Sequence, residues 1–156
     1  MVVPISTEEN NMITHQNHKF IYNDIASLEL PNGICINYDC EAMSQDNFEL
    51  ISPDGGFRLV IEFFNSDKNI KWDLEEWCYY EDHVVINPPQ PIITPTGLVG
   101  YIATFSSGDD NYEECTLYIS DTERCNFWLW HRTGKPYDKA HYERVKAELL
   151  DTLKLI

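Results

Sequence analysis

Basic residues are scarce in this chain: 11 Lys and Arg stand against 26 Asp and Glu among 156 residues, a formal charge of -15 at pH 7. A field of that sign repels nucleic-acid phosphates and the anionic face of a membrane, so neither is an expected partner. A basic protein, a cationic peptide or a metal ion remains electrostatically permitted. Long apolar runs are missing as well. No stretch approaches the ~18 residues of a membrane span, and Met1 to Asn10 has neither the basic region nor the apolar stretch of a secretory leader. The cysteines Cys35, Cys40, Cys78, Cys115 and Cys125 are odd in number and include no C-x-x-C pair. That usage suits reduced thiols and a cytoplasmic setting better than a disulfide framework.

Equally absent are the short signatures that carry chemistry: G-x-S-x-G, a phosphate-binding glycine loop, H-E-x-x-H and a dinucleotide fingerprint. His15 and His18 have an i, i+3 spacing, but zinc needs three or four ligands and His83, His131 and His141 lie far apart in sequence, so no metal or cofactor is expected. Cys125 and His131, six residues apart on one strand, are distant neighbours on one face, and a buried structural thiol is the better reading. Asp109, Asp110, Asn111, Glu113 and Glu114 gather oxygen ligands suited to calcium, yet lack the 12-residue spacing of an EF-hand loop. A polar turn that keeps a hairpin tip wet accounts for them.

What is present is enough apolar material for one core, with hydrophobic residues at 43%. Residues 1–18 read as a polar N-terminal arm in which Ser6 and Glu9 have capping-box spacing, and residues 19–156 read as a single α+β domain. Phe20 to Tyr22, then Leu28 and Leu30, then Ile34, Ile36 and Tyr38 after Pro31-Asn32-Gly33 read as strand, turn, strand. Pro53-Asp54-Gly55-Gly56 separates Phe48–Ile51 from Phe57–Phe64 and predicts a hairpin whose second strand has bulk on both faces. Asp73 and Glu76 predict a capped helix over 74–82, with Trp72 and Trp77 as a hydrophobic staple. Residues 88–91 predict a break, since proline is poorly tolerated in a ladder. Strands over 98–105, 115–119 and 126–131 predict an antiparallel meander, with Ser107-Gly108-Asp109-Asp110-Asn111 and Asp121-Thr122-Glu123 as its turns. After Gly134 and Pro136, the stripe Tyr142, Val145, Leu149 and Leu153 predicts a closing amphipathic helix over 137–153. The sum is an antiparallel sheet of about five to seven strands sandwiched by helices.

This order of pieces resembles the PsbP-like superfamily. The resemblance covers Ile25 to Leu155: an opening strand ending Leu30-Pro31-Asn32-Gly33, a hairpin across Asp54-Gly55-Gly56, a helix at Leu74-Glu75-Glu76-Trp77, a late meander, and a closing helix ending Leu149-Leu150-Asp151-Thr152-Leu153-Lys154. It implies a sheet between helices and transfers no site residue.

The strand around Phe127-Trp128-Leu129-Trp130-His131 puts Trp128 and Trp130 on one face and Phe127 and Leu129 on the other. Core packing is one use of such a face. Left uncovered, Trp128, Trp130, Tyr101 and Phe105 would form an aromatic recognition patch, with Asp109 and Asp110 as acidic neighbours. The leading expectation is therefore a noncatalytic acidic module that binds a protein, in the manner of an adaptor or immunity protein. The alternative is an enzyme or small-molecule binder whose pocket lies between sheet and helices and draws on His131, Tyr101 or Asp109.

Overall fold

Large apolar residues at every second position make a strand that can bury one face, and two such strands joined by a tight turn bury it together. The hairpin of β6 (Asn47–Ile51) and β7 (Arg58–Asn65) is built this way. In its turn the Asp54 carboxylate accepts from Gly56 N at 2.9 Å and Ser52 Oγ at 2.8 Å. The computed structural model describes residues 3–4, 13–16, 18–37, 47–80, 82–132 and 136–156. The expected cap at Ser6 and Glu9, and Tyr38, Cys40, Glu81 and Gly134, lie outside them.

Most of the described residues form two antiparallel sheets, giving a mixed α+β fold. The larger has the order β5 (Cys35–Ile36), β6, β7, β11 (Glu123–Arg132), β10 (Asp110–Tyr118), β9 (Val99–Ser107), β8 (His83–Ile93). The smaller is β1 (Val3–Pro4), β2 (Ile13–Gln16), β3 (Lys19–Tyr22), β4 (Ala26–Glu29) and β12 (Lys154–Leu155). The expectation of a single sheet is thus corrected. The early strands pair with one another into a layer of their own, and the chain's last strand adds to its edge at β4, a contact that local pattern does not encode. Ile13, placed by sequence in the arm, is fully buried in the core.

One face of the large sheet meets the small sheet and α2 (Lys139–Thr152). Phe20 stacks on Phe48 with ring centroids 4.2 Å apart, and Tyr22 on Phe63 at 4.3 Å. Leu59, Ile61, Phe127, Leu129, Cys115 and Leu117 complete this inner face, against Tyr142, Val145, Leu149 and Leu153. Asp138, not an earlier residue, caps α2, accepting from His141 N at 2.9 Å.

Three local expectations are corrected. Helix α1 spans Ile70–Cys78, because Asn69 caps it by accepting from Lys71 N at 2.9 Å, while Asp73 falls in the first turn and accepts from Ser66 Oγ. Trp72 and Trp77 consequently sit on the exposed side of α1 and form no staple. Pro88, Pro89 and Pro91 do not end β8, which runs through them with register shifts between Val85, Asn87 and Gln90. An edge strand tolerates residues without an N–H, since one side of its ladder is unpaired. Asp110 and Asn111, expected in a turn, already belong to β10, leaving Gly108 and Asp109 between the paired residues Ser107 and Asp110. Gly108 takes φ 59, a conformation glycine adopts without strain.

Candidate recognition surface

Strand alternation sends the other half of the large sheet outward: Glu49, Arg58, Val60 and Glu62, then Arg124, Asn126, Trp128 and Trp130, then Asp110, Tyr112, Glu114 and Thr116. Helix α1 covers this outer face over β8, β9 and β10, burying Cys78 with Ala103 and Phe105. Its seat is set by Tyr118, whose hydroxyl accepts from Ile70 N at 3.0 Å, and by Arg124. The buried Arg124 guanidinium donates to the carbonyls of Ser120, Asp121, Glu123 and Lys68 and lies 4.3 Å from the Tyr118 ring centroid. One side chain thereby ties the β10–β11 turn to the loop that leads into α1.

Beside α1 the face is left partly open. Tyr112 stacks on Trp128 with centroids 5.2 Å apart and planes 8° from parallel, and Phe105 stacks on Tyr112 at 5.3 Å. The Arg58 guanidinium lies 5.2 Å from the Trp130 ring. Together with Val60 and Glu49 these residues enclose a pocket of about 180 Å³. Glu49 is 4% exposed and its carboxylate accepts from Asn37 Nδ2 at 2.6 Å. Burial, then the Asp110 charge, raise the Tyr112 phenol, opposed by a hydrogen bond from Trp130.

Next to the pocket runs a polar row across three strands. Thr116 Oγ1 donates to Asn126 Oδ1, and Asn126 Nδ2 donates to Glu62 Oε1, both at 2.9 Å. Desolvation, reinforced by the Glu62 charge, pushes the Glu114 carboxyl up to about 8, against a lowering hydrogen bond from Asn126. At neutral pH Glu114 is therefore mostly protonated, so the row carries less charge than its composition implies.

Large apolar groups crowd the border between α1 and the free edge of β8. Trp77 is 46% exposed and Tyr80 61%, with Trp72 and Tyr79 similarly open. Trp77 reaches inward as well, its ring 5.2 Å from His83 and 6.5 Å from buried Phe105. The rings of Trp77, Phe105, Tyr112 and Trp128 form one continuous series from the helix surface to the pocket.

Of the residues singled out in the sequence, Trp128 and Trp130 do meet in one pocket. Phe105, expected on an open patch, is 1% exposed beneath α1. Tyr101 lies four residues along β9 from Phe105, near Lys71 of α1, and does not join the platform. Asp110 neighbours Tyr112, while exposed Asp109 sits in the turn. Sequence reasoning missed Glu49, Arg58 and Tyr112; the readable signal was a charged residue inside the otherwise apolar run Phe48-Glu49-Leu50-Ile51. It also missed the α1 and β8 border, because Trp72 and Trp77 had been assigned to a staple.

Two larger concavities lie elsewhere. One of about 380 Å³ lies between the large sheet and the start of α2, lined in part by Asn87, Thr104, His131, Tyr137 and Glu113. Its Glu113 accepts from both the Tyr142 hydroxyl and Lys146 Nζ, and burial with the Glu113 charge drives the Tyr142 phenol far upward. The other, of about 440 Å³, is lined by His18, Glu29, Pro31, Asn32, Glu148 and Asp151, among others. Among the described residues no group of three or more His, Cys, Asp or Glu is placed to hold a metal ion, and no helix is long and apolar enough to cross a membrane.

No family model and no curated protein matches the chain. A crystal structure of a protein from Bacteroides thetaiotaomicron VPI-5482 aligns with a TM-score of 0.47 at 13% identity, covering 91% of this chain. The chain spans 49% of the length of that protein.

Proposed function

We propose that this protein is a noncatalytic, acidic protein-interaction module that docks a basic partner along the outer face of its large sheet and the adjoining border of α1 and β8. The observation that carries the reading is the concentration of Trp72, Trp77, Tyr79 and Tyr80, all large and all about half exposed or more, along α1 and its C-terminal end. Exposed apolar groups gathered in this way mark interaction sites, and aromatic residues dominate interface centres. The free edge of β8 adds backbone donors and acceptors between the prolines, which an extended partner segment would pair. The charge of -15 supplies attraction to a basic partner. A cytoplasmic setting and kinship with the PsbP-like superfamily belong to the same proposal, and the superfamily adds no site residue.

A second reading rests on the 380 Å³ concavity beside His131. It is weaker because the Glu113 carboxylate there is already matched by Tyr142 and Lys146, which leaves it little capacity as a base.

The test is capture of a partner from an extract of the source cells, followed by stopped-flow kinetics with the purified pair. Capture should fail with Trp77→Ala combined with Tyr80→Ser. Association should slow when ionic strength rises from about 0.05 to 0.5 M, while dissociation changes little. Undiminished capture by the double variant, or turnover of a metabolite abolished by His131→Ala, would replace the module reading with the second one.

A further inference from the structure

We propose that the pocket of Glu49, Trp128, Trp130, Tyr112 and Arg58 is a receptor for one arginine side chain, supplied by the basic partner inferred above, on which reading this inference rests. Its guanidinium would lie against the indole rings that line the pocket and face the Glu49 carboxylate.

Size limits the occupant first. At about 180 Å³ the pocket falls below the range of drug-sized ligand sites, roughly 300 to 1,000 Å³, and is on the scale of a single large side chain. Charge comes next. Glu49 is almost wholly removed from water, and among the described residues it has no ion-pair partner, its carboxylate accepting from the neutral Asn37 amide. A buried carboxylate is costly unless a cation or several hydrogen bonds compensate it. The pocket therefore holds a site for positive charge, and the chain's net charge of -15 favours approach of a cation.

Shape then separates guanidinium from ammonium. Two indole rings, Trp128 and Trp130, line the pocket, and Trp128 is held in place by its stack on Tyr112, with planes 8° apart. Guanidinium is planar, weakly hydrated and able to stack while donating in its own plane to a carboxylate; ammonium is a compact, strongly hydrated point charge. The chain supplies its own precedent on the neighbouring wall, where the Arg58 guanidinium rests over Trp130 at 5.2 Å. Arg58 is exposed, so it can move aside into water as a partner arginine enters.

The experiment is a titration of the full chain with N-acetyl-arginine amide, read by the tryptophan indole NMR resonances, with N-acetyl-citrulline amide as a neutral isostere and N-acetyl-lysine amide as the ammonium control. Saturable shifts at Trp128 and Trp130 are expected for arginine, with at least tenfold weaker binding of citrulline and at least threefold weaker binding of lysine. Glu49→Gln should lower arginine affinity about fivefold or more and leave citrulline unchanged. Arg58→Ser, at an exposed position, should strengthen arginine binding about twofold. Equal binding of arginine and citrulline, absence of saturable shifts, lysine binding as tight as arginine, or weaker binding in Arg58→Ser would each overturn the assignment. Because the probes are single amino acids, this outcome is independent of partner capture: failure here with capture intact removes the arginine pocket and leaves the module, whereas arginine-specific binding without any captured partner removes the module and leaves the pocket.

Discussion

Glu113 on β10 and Lys146 on α2 lie 3.0 Å apart in a half-buried ion pair that fastens the closing helix to the inner face of the large sheet. The Tyr142 hydroxyl donates to the same carboxylate, so removing Glu113 strands that hydroxyl and leaves Lys146 only its pairing with Glu143, 3.2 Å away. Glu113→Ala should destabilise the fold by about 2 kcal/mol in urea titrations, and Glu113→Gln, which keeps an acceptor, by about half as much. A change under about 0.5 kcal/mol, typical of surface sites, would show that the pair is not a fastening.

Leu149 is fully buried at the centre of the α2 stripe. Leu149→Ala removes that packing and leaves a cavity, at a cost of roughly 2 to 5 kcal/mol. Chemical denaturation with an unchanged slope would confirm that stability and not the unfolded state has altered.

Gly100 lies against β10, where a Cβ would fall 1.9 Å from the Thr116 carbonyl oxygen. Backbone cannot yield as a flexible side chain can, so Gly100→Ala should cost about 3 kcal/mol or more. A melting temperature equal to that of the parent would contradict the register of the two strands.

Glu114 gives the fold a pH dependence of definite sign. Its folded value of about 8 lies above the ordinary 4.5, so the native state holds the proton more tightly than the unfolded chain. The resulting stabilisation is complete below about pH 4.5 and is lost as pH rises toward 8. Glu114→Gln, which cannot ionise, should therefore be more stable than the parent at pH 8 to 9 and show little advantage near pH 4. Parallel urea midpoints at about pH 4, 7 and 9 decide it, and an advantage that fails to grow with pH would refute the assignment.

Thiol chemistry should follow burial. Cys35 is exposed, whereas desolvation raises Cys78 to about 11, Cys115 to about 12 and Cys125 well above its ordinary value. Thiolate is the reactive form, so a thiol reagent at neutral pH should label Cys35 in the native protein and reach Cys78, Cys115 and Cys125 after unfolding. Rapid native labelling of Cys125, detected by peptide mass spectrometry, would mean that the inner face opens far more readily than its packing implies.

Local chemistry alone determined much of this protein. The alternation in Leu59, Ile61 and Phe63, the turn at Asp54 and Gly55, and the stripe Tyr142, Val145 and Leu149 follow from periods and turn propensities that neighbouring residues impose on one another. Three features were settled by contacts between residues far apart in sequence. β12 extends the early strands' sheet at its edge, with Lys154 and Ser27 pairing across most of the chain. Tyr118 and Arg124 seat α1 over β9, and that seat buries Phe105 while leaving Trp128 and Trp130 partly open, although the sequence treats all three as equivalent aromatic strand residues. Strand order brings Glu49 of β6 to the pocket of Trp128 and Trp130 with β7 between them, so a carboxylate that reads as an ordinary strand charge becomes the buried anion of an aromatic pocket. A sequence states which side chains can share a face; which faces are covered, and by what, depends on pairing free energies summed over the whole fold.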